Sequence, residues 1–233
     1  MRRLQTAGPI TAVAVLLLST GIALASSQFK QTSNIRLTAT KAGAATGFKA
    51  ALKSSDPGEP GGKPQALKTL KITFPVGTKF NFKSKAIKPC TATDIEIKGT
   101  KGTACPAKSR IGGGSAEANG APVFPMLPES ATAYASKSDL ILLLTPKAAA
   151  GSVLVLHGKI AANKVTVAVP LLQEGPLTIV ITALELSVNK LGSGKSAFMA
   201  AGKCSGGKFT VGSSFLYYTG ATLKLSSSSK CSK

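Results

Sequence analysis

LKTLKITFPVGTKFNF, residues 67–82, is the stretch whose pattern decides the fold. Leu70, Ile72 and Phe74 alternate with Lys71 and Thr73, the period of two expected of a strand with one buried face. Pro75-Val76-Gly77 turns the chain, and Phe80 with Phe82 resumes the period. Ile95 and Ile97, set against Glu96 and Lys98, read the same way. Further runs follow at Leu140–Leu144, Val153–Leu156, Val165–Val169, Leu177–Val188, Lys208–Tyr218 and Thr222–Leu225, with Gly, Pro, Asn or Ser between nearly every pair. The alanine-rich stretches Ala44–Ala51 and Ala148–Ala150 are too short, or too broken by Gly, for packed helices. About nine or ten short strands at this spacing predict an all-β chain, an antiparallel β-sandwich or a partly closed barrel.

Working outward, residues 26–66 are rich in Ser, Thr, Ala, Gly and Lys and end in DPGEPGGKP at 56–64. A Pro/Gly cluster of that density holds neither a helix nor a central strand. The expectation is a flexible lead-in over 26–66, with a first strand near Ile35–Ala39, and a single all-β domain over 67–233. Gly112-Gly113-Gly114 is the one candidate hinge between two lobes, though one continuous domain is simpler. At the start, Arg2 and Arg3 precede an apolar run from Ile10 to Ala25, and Ala23 with Ala25 forms an A-x-A pattern before Ser26. That order predicts a signal peptide over 1–25, cleaved ahead of Ser26. The run is 16 residues, short of the roughly 20 that cross a bilayer. A secreted product with no transmembrane segment is expected.

Composition narrows the function. Of 233 residues, 43% are hydrophobic but 5% aromatic, with no Trp, so the core must be built mainly from Val, Ile, Leu and Ala. One His and nine carboxylates are little material for an enzyme. The formal charge is +20, and removal of residues 1–25 leaves 27 cations against 9 acids, a net +18. Of those 27 cations, 25 are Lys, which acts as a hydrated point charge, whereas the Arg fork reads phosphates and bases. No aromatics interleave with these lysines, so specific nucleic-acid binding is not expected. Dispersed lysines either solubilise the surface or attract anionic cell-wall polymers and anionic lipid surfaces. Lys79, Lys83, Lys85 and Lys88 form the candidate polyanion patch.

Four cysteines, Cys90, Cys105, Cys204 and Cys231, are an even count in a chain read as exported, which implies two disulfides. Three connectivities are open, and the sequence-local pairs, Cys90–Cys105 and Cys204–Cys231, are the expected ones. No C-x-x-C is present and His157 is the single imidazole, so neither a metal site nor a cofactor is expected.

CPAKSRIGGGSA, residues 105–116, resembles the C-P-x-x-S-x-I-G-x-G-x-A signature of a large group of uncharacterised exported proteins from actinobacteria. In that group a first Cys lies about 15 residues upstream, as Cys90 does here, and a Pro-x-Gly like Pro75-Val76-Gly77 ends a preceding strand. The resemblance covers Leu67–Ala118. It implies export and a Cys90–Cys105 bridge, and no activity.

Candidate chemistry is sparse. Gly194-Lys195-Ser196 ends like a phosphate loop, but Asn189 stands where that loop needs Gly, so a turn is expected. Gly192-Ser193-Gly194 lacks the spacing of a serine nucleophile elbow, and His157 reads as a residue at the end of an apolar strand. Asp94 and Glu96, two apart on one expected strand face, invite a glycosidase reading, yet Lys88, Lys98 and Lys101 nearby favour solvated ion pairs. Phe215 and Tyr217 share one face of their strand, with Leu216 and Tyr218 on the other. The expectation is a non-enzymatic surface or envelope protein. The alternative is an extracytoplasmic carrier of a lipid or other hydrophobic ligand in a barrel cavity. A dry, filled interior favours the first, and an apolar pocket of roughly 300 Å³ or more the second.

Overall fold

Fourteen β-strands form among residues 28–148 and 152–233, the parts of the chain that the computed structural model describes. The expected signal segment, with Ala23, Ala25 and Ser26 at its cleavage site, lies outside them, as does most of Ala148–Ala150. In chain order the strands are β1 (Lys30–Leu37), β2 (Phe48–Ser55), β3 (Leu67–Thr73), β4 (Lys79–Phe80), β5 (Arg110–Gly120), β6 (Phe124–Ala135) and β7 (Asp139–Pro146). They continue as β8 (Leu154–Ala161), β9 (Lys164–Ala168), β10 (Leu172–Glu174), β11 (Leu177–Val188), β12 (Met199–Ala200), β13 (Lys208–Tyr217) and β14 (Thr222–Lys230). One six-residue helix, α1, spans Asp94–Gly99.

Eleven strands form one antiparallel sheet in the order β1-β2-β11-β5-β6-β7-β8-β9-β3-β13-β14, with β10 added beside β11. The sheet curls until β14 lies against β1, and side chains join this seam. Ser227 Oγ accepts from Ile35 N at 2.9 Å and donates to Ile35 O at 2.7 Å, while the Ser33 and Ser213 hydroxyls meet at 2.7 Å. The result is a nearly closed barrel. One end carries the loops at 56–66, 121–123, 169–176 and 218–221. The other is covered by 38–47, 74–93 and 189–207.

That cover is built on aromatic contacts. Phe48, Phe74, Phe80, Phe198 and Phe82 touch in series, with ring centroids 5.3, 5.7, 6.3 and 5.6 Å apart in tilted and edge-to-face pairs. The strands β4 and β12 pair there, Phe80 opposite Met199. The Cys204–Cys231 disulfide ties this cover to the end of β14.

Three sequence readings need correction. Residues 26–66 are not a flexible lead-in: Lys30–Leu37 and Phe48–Ser55 pair as β1 and β2, and β2 also pairs with β11. Only the Pro/Gly cluster is a loop. The strand count of nine or ten is too low, because β5 and β6 show no large-apolar alternation. Their inward positions are Ala116, Ala118, Ala131 and Ala133, buried small residues that carry no period-of-two signal. Ile95 and Ile97 lie on α1, not on a strand. A capping box decides this: Thr93 Oγ1 accepts from Glu96 N, and the Glu96 carboxylate accepts from Thr93 N at 2.7 Å. The helix separates the two isoleucines, leaving Ile95 83% exposed and Ile97 fully buried.

Gly112-Gly113-Gly114 is no hinge. It lies within β5, in close backbone approach to β11, where a Cβ on Gly114 would sit 1.9 Å from Glu185 O and one on Gly112 2.2 Å from Ser187 O. Both disulfides join the expected pairs, Cys90 with Cys105 and Cys204 with Cys231.

Candidate functional site

The run Leu140–Leu144 is apolar without interruption because both of its faces are covered. Ile141 and Leu143 pack outward against Ile97, Cys90 and Cys105. Leu140, Leu142 and Leu144 turn inward, where Leu52, Leu156, Val167, Ile181 and Leu184 converge from β2, β8, β9 and β11 on an apolar cavity. Several of these side chains are only half-buried although they point into the barrel, so the interior is not filled. The cavity measures about 110 Å³. That is below the roughly 300 Å³ of a pocket for a bulky ligand. A water-sized group takes up about 30 Å³ when packed, so the space holds roughly four such groups.

Phe48, Ile72 and Val188 form the floor, above the aromatic cover. At the opposite end the lining turns polar, with Gln31, Ser54, Gln65, Thr182 and Tyr217. Tyr217 Oη donates to Gln31 Oε1 at 3.1 Å, Thr219 Oγ1 to Gln65 Oε1 at 2.7 Å, and Thr182 Oγ1 to Glu117 O at 3.1 Å. Burial pushes the Tyr217 phenol up to about 12, so the mouth stays uncharged there. Lys53 is the single charged residue lining the cavity, and the alternation of β2 points its side chain outward. Around this end stand Val123, Phe124, Met126, Leu171 and Tyr218, five of the seven large apolar side chains exposed among the described residues. A wider trough of about 780 Å³ on the outer wall, over Arg36, Lys49, Gly113, Gly114 and Glu185, is open to solvent.

A second cluster centres on His157, in the middle of β8 rather than at a strand end. Its Nδ1 lies 2.7 Å from Asp139 Oδ2, and its Nε2 lies 2.9 Å from Asp94 Oδ1. Only the imidazolium has two N–H donors, so the pair of carboxylates selects the charged ring. Partial burial works against that charge, but the hydrogen bonds and charges of Asp139 and Asp94 outweigh it and hold the pKa above the ordinary value. With both nitrogens occupied, no serine reaches the ring; Ser136 hydrogen-bonds Asp139 instead. The arrangement pins the start of α1 to the barrel and offers no general base.

Asp94 and Glu96 do not face each other: Asp94 turns to His157 and Glu96 folds back on Thr93. Nor do they pair with lysines, since His157 makes both ion pairs found among the described residues. Gly194-Lys195-Ser196 is a short 3-10 turn after Gly192 at φ +71°, in keeping with the turn expected there. Phe215 and Tyr217 are buried inward and Tyr218 is exposed on the other face, as the alternation requires. Lys79, Lys83, Lys85 and Lys88 are all exposed on the segment that crosses the covered end. Among the described residues, no group of three His, Cys, Asp or Glu side chains is placed to hold a metal ion, and no helix is long and apolar enough to cross a membrane. Two disulfides are compatible with an oxidising, extracytoplasmic compartment. No protein-family model, curated protein or solved structure matches the chain.

Proposed function

We propose that this chain is a non-enzymatic, exported protein that holds a slim apolar chain inside its barrel. The observation that carries the reading is the unfilled apolar interior, closed below by phenylalanines and opening through a polar mouth. The cavity falls short of the roughly 300 Å³ expected of a carrier, which narrows the ligand from a whole lipid to a short apolar segment. The cavity's size sets the ligand class: about four methylene-sized groups, a short alkyl segment, fit, and a fused-ring or double-chain ligand does not. The apolar rim of Val123, Phe124, Met126, Leu171 and Tyr218 supports transfer of such a chain from an apolar phase. Burying about four methylenes at roughly 0.8 kcal/mol each gives about 3 kcal/mol, or a Kd on the order of 5 mM.

The test is titration of the purified protein with butanol and butyrate, followed by NMR chemical shifts. Binding in the low millimolar range by the wild type, lost in Ile181→Trp, is expected, because the indole occupies the space of the chain. A folded wild type that binds neither compound at saturating concentration would sink the reading and return the filled-envelope alternative.

A further inference from the structure

The covered end of the barrel brings together three segments distant in sequence. Thr46 N donates to Met199 O at 2.9 Å, Ala201 N to Ala44 O at 2.8 Å, Asn81 N to Phe198 O at 2.7 Å and Lys203 N to Val76 O at 2.7 Å. Residues 38–47, 74–93 and 189–207 therefore form one cap. Together they carry Lys41, Lys79, Lys83, Lys85, Lys88, Lys190, Lys195 and Lys203, and not one Asp or Glu. The nearest acids in sequence, Asp94 and Glu96, are held by His157 and by Thr93. The sequence shows a run of four lysines; the fold doubles it and leaves it without counter-charge.

We infer that this cap is a docking surface for a linear acidic polymer free in water. The alternative partner is an anionic bilayer, and the apolar groups decide against it. Stable attachment to a bilayer takes a polybasic patch together with an apolar anchor. Among the described residues, five of the seven exposed large apolar side chains stand at the far end of the barrel, and the cap offers only Val76, with Ile95 beside it on α1. Lysines without an anchor and without aromatic platforms suit a flexible polyanion that meets them as point charges. The cap and the mouth are at opposite ends, so the polymer leaves the cavity open. This inference does not rest on the proposed ligand.

The experiment measures binding of long-chain inorganic polyphosphate against salt, with vesicles of mixed phosphatidylglycerol and phosphatidylcholine as a second arm. Polyphosphate should bind the wild type with an affinity that falls steeply with salt. Lys79, Lys83, Lys85 and Lys88 together changed to Glu should weaken binding at least 100-fold at low salt. The slope of log K against log salt should shrink by about 3, at about 0.7 for each lysine that no longer neutralises a phosphate. A control reversing Lys30, Lys68, Lys147 and Lys224, near the mouth, should weaken it less than threefold. All eight positions are exposed, and circular dichroism verifies that both variants fold. Equal weakening in the two variants would show that net charge alone acts, and overturn the inference. So would vesicle binding that the four cap reversals abolish and the mouth reversals spare, or no polyphosphate binding by the wild type.

Discussion

Replacing Gly114 by Ala adds one methyl group and should cost this protein much of its stability. The new Cβ would stand 1.9 Å from Glu185 O, 2.8 Å from Glu185 C and 3.1 Å from Leu186 Cα, all main-chain atoms of β11. Ordinary contact begins near 3.4 Å, so the oxygen must recede by roughly 1.5 Å. No rotamer change relieves this, because the clash is with backbone. Hydrogen bonds at about 2.9 Å do not survive such a shift, and losing two of them at about 1 kcal/mol each adds to an overpacking penalty of about 1–3 kcal/mol. The expected loss is therefore about 3–5 kcal/mol. Gly113, one residue earlier, is the internal control. A Cβ there meets Arg110 Nη2 at 3.2 Å and Ala131 O at 3.3 Å, the first of them the end of a flexible side chain. Gly113→Ala should change stability by less than about 1 kcal/mol, partly offset by the reduced freedom of the unfolded chain. Urea unfolding followed by circular dichroism measures both. If Gly114→Ala unfolds within 1 kcal/mol of wild type, or Gly113→Ala is equally damaged, the close approach is wrongly described and a hinge regains standing.

Three other outcomes follow from the geometry. The raised pKa of His157 stabilises the fold below its unfolded value of about 6.5, and that contribution fades as pH rises through the folded pKa. The unfolding free energy of wild type relative to His157→Asn, from urea titration, should thus be larger at pH 5 than at pH 8, by no more than about 1 kcal/mol for a ring this exposed; a pH-independent gap would dismiss the clamp. Glu129 is half-buried, its Oε2 meets no hydrogen-bond partner, and burial raises its pKa. Its charge opposes folding above the ordinary carboxylate range, so Glu129→Gln should raise the melting temperature at pH 8 and leave it unchanged at pH 4. Breaking Cys90–Cys105 by a double change to Ser should lower stability by about 3 kcal/mol, and breaking Cys204–Cys231, with its longer loop, by about 3.5 kcal/mol. Equal, negligible effects from both would contradict the loop-closure account.

The strands of large apolar residues were legible because Leu70, Ile72, Phe215 and Tyr217 announce their faces by alternation. The glycine and alanine strands β5 and β6 were hidden, since a wall whose backbones approach this closely needs small residues there, and small residues write no periodicity. Thr93-x-x-Glu96 was a readable helix signal, masked by two isoleucines that happen to be two apart. His157 between Asp94 and Asp139 could not be foreseen: 63 and 18 residues separate the partners. The lysine cap was half legible, as four lysines within segment 74–93, while the other four arrive by folding.

The seam between β1 and β14 gives the barrel an uneven wall. Around the rest of its circumference, neighbouring strands are fixed by main-chain ladders about 4.8 Å apart. Along this line side chains make the attachment, Ser227 of β14 to Ile35 and, one strand further, Ser213 and Tyr217 of β13 to Ser33 and Gln31. Among the described residues, main-chain bonds join it only past the strand ends, where Ser232 meets Thr40 and Ala42. Prying the two strands apart there breaks those few bonds and no ladder, so the perimeter has one elastic joint running the length of the interior. Amides of β1 should therefore exchange with solvent sooner than those of β5 or β11, each held on both sides. A guest longer than the resting cavity meets a tube that yields along a single line.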